Sequence, residues 1–296
     1  MIEKINFDNI TVDKISLPLL KEKQIELSVL RLDKIHPVIS GNKWFKLQFY
    51  LDEAKQLREK TILTFGGAYS NHIVATAAAC QLNNFKSIGI IRGEEPIELS
   101  PTILHAKEFG MQLIFISREG YKEKKIPQFL LNNEIYLINE GGYGKKGVEG
   151  AATILDYCQK ESFTHICCAV GTGTMMAGLV KVSSADQSVI GISVMKNNLE
   201  LDRNVNLLTH GKNNFQIFHD YHFGGYAKYK PELIQFMNEF YIQTNIPSDF
   251  VYTGKLFFAI NDLICKNHFC KKSKILIIHS GGLQGNISLE KGMLIF

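Results

Sequence analysis

The chain has 296 residues, of which 45% are apolar and 21% charged, and a net charge of +4. That length allows a sizeable core in one large domain or two ordinary ones, and the scattered basic residues form no block that would read as a nucleic-acid arm. No apolar run approaches the roughly 18–20 residues of a membrane span, and the opening Met-Ile-Glu-Lys-Ile-Asn-Phe-Asp lacks the apolar stretch of a secretory signal. The expectation is a cytoplasmic protein with neither a nucleic-acid nor a membrane partner. Cys80, Cys158, Cys167, Cys168, Cys265 and Cys270 include no Cys-x-x-Cys pair. They read as reduced, buried thiols, not as a disulfide framework or a metal site. Adjacent Cys167 and Cys168 lie in a strand-like run and should point to opposite faces.

In chain order, a predicted strand over Ile25–Asp33 precedes a helix over Asn42–Lys60, in which Trp44, Leu47, Leu51, Ala54 and Leu57 form one apolar stripe. A strand at Thr61–Phe65 leads to a helix beginning near Ser70, then a strand at Ser87–Ile91 and a helix from Pro101. Strands at Gln112–Ile116 and Glu134–Ile138 follow, then a helix from Gly147, a strand at His165–Val170 and a helix from Thr174. The remainder reads as a strand at Val189–Met195, helices from Pro231 and Gly254, and a strand at Lys274–His279. Near-continuous aliphatic strands alternating with helices predict an α/β protein with mainly parallel sheets. The glycine-rich stretch Glu140–Gly150 reads as a crossover between two α/β lobes.

Four small-residue turns carry the candidate chemistry. Ser40-Gly41-Asn42-Lys43-Trp44-Phe45-Lys46-Leu47 puts an amine at a helix start, where positive helix-end charge and apolar neighbours favour the free base. A deprotonated Lys43 can form a Schiff base. Lys46, one turn on, is either a surface lysine or a phosphate ligand. Gly66-Gly67-Ala68-Tyr69-Ser70-Asn71-His72 joins a glycine pair to free helix-start N–H groups, a nest for a carboxylate. Ser70 there is also an ordinary N-cap candidate. Gly171-Thr172-Gly173-Thr174 follows a strand and opens a helix, as a phosphate cradle does. It is not a Walker loop, since no Gly-Lys-Ser/Thr follows. The next strand ends at Met195-Lys196, without an acidic residue to hold a ribose, so a single monoester phosphate fits better than a dinucleotide. Finally, Ser280 in Ser280-Gly281-Gly282 ends a buried strand, where its hydroxyl could bond a ring nitrogen. Tyr226 and Tyr252 sit beside glycines in irregular segments.

Together these segments resemble the pyridoxal-phosphate enzymes of the tryptophan synthase β-like fold. More narrowly, they resemble the 1-aminocyclopropane-1-carboxylate deaminases and D-cysteine desulfhydrases. The matching pieces are Ser40–Leu47, Gly66–His72, Gly171–Gly178, Tyr252–Lys255 and His279–Gly282, in the family's order over nearly the whole chain. The resemblance implies pyridoxal 5'-phosphate as cofactor, held on Lys43, with Lys46 and Gly171, Thr172, Gly173 and Thr174 on its phosphate. It implies that Asn71 contacts the cofactor's 3′-oxygen and that Ser70, Asn71 and His72 bind the substrate's carboxylate end. Tyr226 and Tyr252 line the substrate side and join Lys43 and Ser70 as catalytic candidates, while Ser280 faces the ring nitrogen. It further implies a homodimer acting on a small amino acid, with a large cofactor-binding lobe of residues 1–46 and 148–296 and a small lobe of residues 47–147.

Three residues depart from the deaminase pattern. Thr253 stands where those deaminases place a glutamate against the pyridine nitrogen. Ser280 supplies a hydroxyl where they are apolar and desulfhydrases are not. Tyr69 stands where a glutamine is usual. A carboxylate keeps the ring nitrogen protonated and the ring a strong electron sink, whereas a hydroxyl leaves it neutral. A weak sink suits removal of an α-proton with prompt loss of a β leaving group better than opening of a cyclopropane. The expectation is α,β-elimination from D-cysteine, giving pyruvate, ammonia and sulfide. The alternatives are cyclopropane-carboxylate deamination to 2-oxobutyrate and non-catalytic storage of the cofactor.

Overall fold

A computed structural model describes residues 3–130 and 134–296. Ten strands are described: β1 Val12–Ile15, β2 Glu26–Arg31, β3 Thr61–Gly66, β4 Lys86–Arg92, β5 Met111–Ile116, β6 Ile135–Ile138, β7 His165–Val170, β8 Ser188–Ser193, β9 Phe215–Phe218 and β10 Lys274–His279. The helices are α1 Pro18–Lys23, α2 Asn42–Gln56, α3 Asn71–Leu82, α4 Pro101–Glu108, α5 Arg118–Lys122, α6 Lys145–Ala152, α7 Thr174–Val182, α8 Leu201–Thr209, α9 Pro231–Thr244 and α10 Thr253–Cys265. The strands form a six-stranded sheet in the order β1-β2-β10-β7-β8-β9 and a four-stranded sheet in the order β5-β4-β3-β6. Every pairing is parallel except that of β1 with β2, which is antiparallel. The α/β architecture with two parallel-rich sheets is the expected one.

The six-stranded sheet is buried on both faces, which is why its central strands are aliphatic throughout. One face packs Val29, Cys167, Ile190 and Ile277 against Leu256, Phe257 and Ile260 of α10. The other packs Leu30, Cys168, Val189 and Ile278 against Met176 and Leu179 of α7. Cys167 and Cys168 thus lie on opposite faces, as the two-residue strand period requires. The cysteines are all free, but Cys265 and Cys270 are exposed, contrary to the expectation of uniform burial. Cys265 is the last residue of α10 and Cys270 sits in the turn before β10, beyond the apolar runs that bury Cys80, Cys167 and Cys168, while Cys158 is half-buried.

Most elements absent from the sequence reading are short. β1 and β9 have four residues each and lie at the two edges of the large sheet. α1 and α5 have only six and five residues, too few to show a helical stripe, whereas α8 does carry one, Leu201, Val205 and Leu208, that the sequence reading passed over. α2 ends at Gln56 rather than Lys60, because Leu57 is its C-cap and Arg58 takes a left-handed φ of 60°. Its inner face is Phe45, Leu47, Tyr50, Leu51 and Ala54, while Leu57 is 60% exposed. The Glu140–Gly150 stretch does carry the chain from β6 in the small sheet to β7 in the large one, with α6 packed against α2 and α7 on the way.

Candidate active site

The turn before α2 and the turn after β10 interlock. Gly41 caps α2 at φ 61° and ψ −141°, and a Cβ there would lie 1.8 Å from the Ser280 carbonyl oxygen. Only glycine permits this approach. Across it, the Asn42 N–H donates to Ser280 O at 3.3 Å, and the Gly282 N–H donates to Ser40 Oγ at 3.3 Å. The His279 ring steadies the second turn, with Nε2 donating to Pro247 O at 2.7 Å and Nδ1 facing the Gly281 N–H at 3.3 Å.

Lys43 lies in the first turn of α2. Its Nζ donates to Asn42 Oδ1 at 3.0 Å and stands 5.6 Å from the centre of the Tyr252 ring. Burial pushes its pKa down to about 8, with Asp249 opposing the shift. Lys46, one turn on, is 5% exposed, and burial together with Lys43 holds it well below the usual lysine range. Only free-base amine attacks an aldehyde, and its fraction rises as pH passes the pKa. The cofactor-free protein should therefore react faster with pyridoxal, which lacks the phosphate, as pH rises through about 8, and then level off. Absorbance of the imine reports the rate, and a midpoint near the ordinary 10.5 would contradict the burial argument.

β3 delivers the second turn. Ser70 is the N-cap of α3, its Oγ accepting from the Ile73 N–H at 3.4 Å. The N–H groups of Asn71 and His72 are then the open donors of the first turn. The Thr64 hydroxyl donates to Ile138 O at 2.8 Å, so it must accept from His72 Nε2–H at 2.9 Å. Burial, with Lys46 and Lys43 adding to it, keeps this imidazole neutral by pushing its pKa well down. Its Nδ1 is therefore a bare acceptor, and any donation from His72 to a carboxylate comes from its backbone N–H. Asn71 Oδ1 and His72 Nδ1 are both buried without a hydrogen-bond partner. Buried polar atoms are rarely left so unless something else binds there.

β7 delivers the third turn. Gly173, at φ 84°, caps α7 without any side-chain capping bond, leaving the first N–H groups of the helix free. Those groups and the helix dipole make an anion seat. Thr172 Oγ1 bonds Thr174 Oγ1 at 3.0 Å. Thr174 is fully buried and does not face the cavity, whereas Gly171, Thr172 and Gly173 do.

Asp249, absent from the sequence reading, organises the side opposite α2. Its Oδ2 accepts from the N–H groups of Val251 and Tyr252 at 3.0 and 2.9 Å. Its Oδ1 accepts from the Thr253 N–H at 2.9 Å and the Thr253 hydroxyl at 2.7 Å. Thr253, the first residue of α10, is thereby turned onto Asp249 and away from the cavity. The signal was an aspartate four residues before a threonine at a helix start. Ser280, in contrast, lines the cavity. Tyr252 and Tyr226 meet edge to face at 6.0 Å. Lys255 Nζ holds the Tyr226 loop by donating to His222 O and Gly225 O at 2.9 and 2.8 Å.

These turns open onto one cavity of about 650 Å³ at the carboxyl ends of the parallel strands. Its wall includes Lys43, Lys46, Ser70, Asn71, His72, Gly171, Thr172, Gly173, Tyr226, Tyr252 and Ser280, so every expected site residue but Thr174 reaches it. Arg92, Arg118 and Glu140 also reach it without having been expected. The set suits a phosphorylated aldehyde: a lysine near its free-base range, a helix-start phosphate seat, and orphaned acceptors between them.

Comparison with known proteins agrees with this geometry. Residues 14–281 match the family described as "Pyridoxal-phosphate dependent enzyme", and the chain belongs to that family. Within it, the chain is 31% identical over 294 residues to the mitochondrial bifunctional D-cysteine desulfhydrase/1-aminocyclopropane-1-carboxylate deaminase of Arabidopsis thaliana, covering 88% of this chain and 73% of that protein. It is 28% identical over 301 residues to a protein of Pyrococcus abyssi provisionally named 1-aminocyclopropane-1-carboxylate deaminase, covering 93% and 89% of the two chains. The crystal structure of an ACC deaminase homologue superposes with a TM-score of 0.83 at 27% identity, covering 96% of this chain and 92% of that one. The cofactor is pyridoxal phosphate and the fold is that of these relatives.

Proposed function

We propose that the protein is a pyridoxal-phosphate-dependent lyase that eliminates the β-substituent of a small amino acid, D-cysteine foremost, to give pyruvate, ammonia and sulfide. The observation that carries this reading is the contrast between Thr253 and Ser280. The Thr253 hydroxyl is committed to Asp249, while Ser280 lines the cavity. A hydroxyl partner leaves the ring nitrogen neutral and favours elimination over ring opening.

When bound, pyridoxal phosphate supplies an aldehyde and an electron-accepting ring. Lys43 would hold the aldehyde and, once released by the substrate's amine, take the α-proton, for which a pKa of about 8 suits it. Lys46 and the Gly171–Thr174 turn would seat the phosphate. Ser70 and the N–H groups of Asn71 and His72 would hold the substrate carboxylate. Tyr226 and Tyr252 would close the substrate side against water. The reading also carries a homodimer in the cytoplasm, and lobes of residues 1–46 with 148–296 and of residues 47–147.

A second reading, deamination of 1-aminocyclopropane-1-carboxylate to 2-oxobutyrate and ammonia, is favoured by the names of the relatives. Supplying D-cysteine, L-cysteine, D-serine and the cyclopropane amino acid to the cofactor-loaded protein separates the two. Sulfide and pyruvate from D-cysteine without 2-oxobutyrate is the expected result, and 2-oxobutyrate without sulfide would establish the second reading instead. Thr253→Glu is unsuitable for probing ring electronics here. It would place a second carboxylate against buried Asp249 and remove two of the bonds that position the start of α10.

A further inference from the structure

We propose that the cavity carries a second anion subsite, in which Arg92 and Arg118 bind an acidic group on the side chain of the amino-acid substrate. The inference rests on the elimination reading and narrows its substrate class to amino acids whose β-substituent is or carries an anion, such as a phosphate or sulfonate. Arg92 is the last residue of β4 and Arg118 the first of α5, just past β5. Both line the active-site cavity, and both also line an adjoining pocket of about 520 Å³ with Tyr121, Lys122 and Lys124.

Three observations separate this from ordinary surface charge. First, three of the pocket's four cations are uncompensated among the described residues. Lys124 is taken by Glu140 at 2.5 Å, but among the described residues Arg92, Arg118 and Lys122 have no carboxylate within ion-pair distance. Second, charge on and beside α5 is partitioned. Arg118 and Lys122, one turn apart, face this pocket, whose charged lining is all positive, while Glu119 and Glu123, also one turn apart, line a separate depression together with Lys125. A surface built only for solubility mixes its signs. Third, Tyr121 is 5% exposed, and among the described residues its hydroxyl makes no close, well-aligned hydrogen bond, only a looser approach to the Glu140 carboxylate. Burial, with Glu140 adding to it, raises its pKa, so it stays protonated and able to donate.

Arg92 is also pre-positioned. Its guanidinium lies 5.8 Å from the centre of the Tyr121 ring, and its Nη2 stands 3.6 Å from where a Cβ on Gly67 would be. It is thus beside the turn that opens α3, where the amino-acid carboxylate is seated under the elimination reading. A guanidinium pair recognises phosphate or sulfonate through paired N–H donors. It also stabilises a group that gains charge as it leaves. In the reaction, the Cα–H bond breaks with its proton passing to Lys43. The Cβ–O bond breaks with its electron pair leaving on phosphate, and water hydrolyses the released 2-aminoacrylate to pyruvate and ammonia.

The test compares O-phospho-D-serine with D-serine on the cofactor-loaded chain and on its R92Q/R118Q variant, following pyruvate and inorganic phosphate. The expected result is a kcat/KM for the phosphorylated substrate about tenfold or more above that for D-serine, with this ratio lost in the variant. Reading a ratio cancels any general damage from the substitutions. A ratio that survives in the variant, or is near one in the wild type, overturns the subsite while leaving the elimination reading standing. Equal losses on both substrates would put the arginines on the shared carboxylate and likewise overturn it. If no amino acid is turned over, the elimination reading fails by itself, and calorimetric titration of the same two compounds decides the subsite. Tighter binding of O-phospho-D-serine that vanishes in the variant upholds it, and equal binding refutes it. Inorganic phosphate binding the loaded protein as tightly as O-phospho-D-serine would mean a free-anion site and would refute the substrate assignment.

Discussion

Lys43→Ala is expected to lower turnover roughly a thousandfold or more, because it removes both the covalent anchor and the general base. The loss should fall on kcat, while the phosphate seat at Gly171–Thr174 and the orphaned Asn71 and His72 acceptors remain. The variant should therefore still retain pyridoxal phosphate on dialysis, without the yellow colour that borohydride bleaches. Turnover preserved in the variant would remove Lys43 from the chemistry. Wild-type protein that holds the cofactor on Lys43 yet turns over no amino acid would fit cofactor storage, for which a carboxylate nest has no use.

Gly41→Ala should be the most damaging small substitution in the site. Its φ of 61° with ψ of −141° strains any side-chain-bearing residue, at a cost of about 1–3 kcal/mol. The added Cβ also meets the Ser280 carbonyl oxygen at 1.8 Å, and that overpacking costs about 1–3 kcal/mol more. Gly110→Ala is the control, since Gly110 has a φ of 79° but nothing within 4 Å of its Cβ position. Urea denaturation should show Gly41→Ala destabilised by about 3 kcal/mol or more, well beyond the control. Similar midpoints for the two variants would mean that the turns before α2 and after β10 do not depend on each other. Cofactor affinity should fall with stability in Gly41→Ala alone, because the same contact sets Lys43 against Ser280.

Much of this site was legible because its parts are local. Each turn announces itself by glycines next to a helix start, and its open N–H groups come from that same turn, so Gly66–His72 and Gly171–Thr174 could be read without knowing what surrounds them. Lys43 was legible for the same reason. What could not be read were relations between distant segments. Asp249 looks like any loop aspartate until four donors close on it. Thr253 and Ser280 are two hydroxyl residues of equal standing in the chain, and only packing ties the first to Asp249 and leaves the second on the cavity wall. Arg92 and Arg118 are separated by 25 intervening residues and meet because β4 and β5 are parallel neighbours whose carboxyl ends share one edge.

The amino-acid sequence by itself determined the α/β class, the order of the main strands and helices, the two turns with open helix-start N–H groups and the lysine at the start of α2. Each of these is written in a short stretch of chain through periodicity, glycine and helix-start chemistry. The tertiary structure alone decided how β1 and β9 close the edges of the large sheet, which hydroxyl stays on the cavity wall, which tautomer His72 adopts, and that Arg92 and Arg118, without an ion-pair partner among the described residues, stand together at the cavity. Those outcomes depend on which partners burial leaves available, and partners are brought together by strand order and long-range packing, which no local pattern encodes.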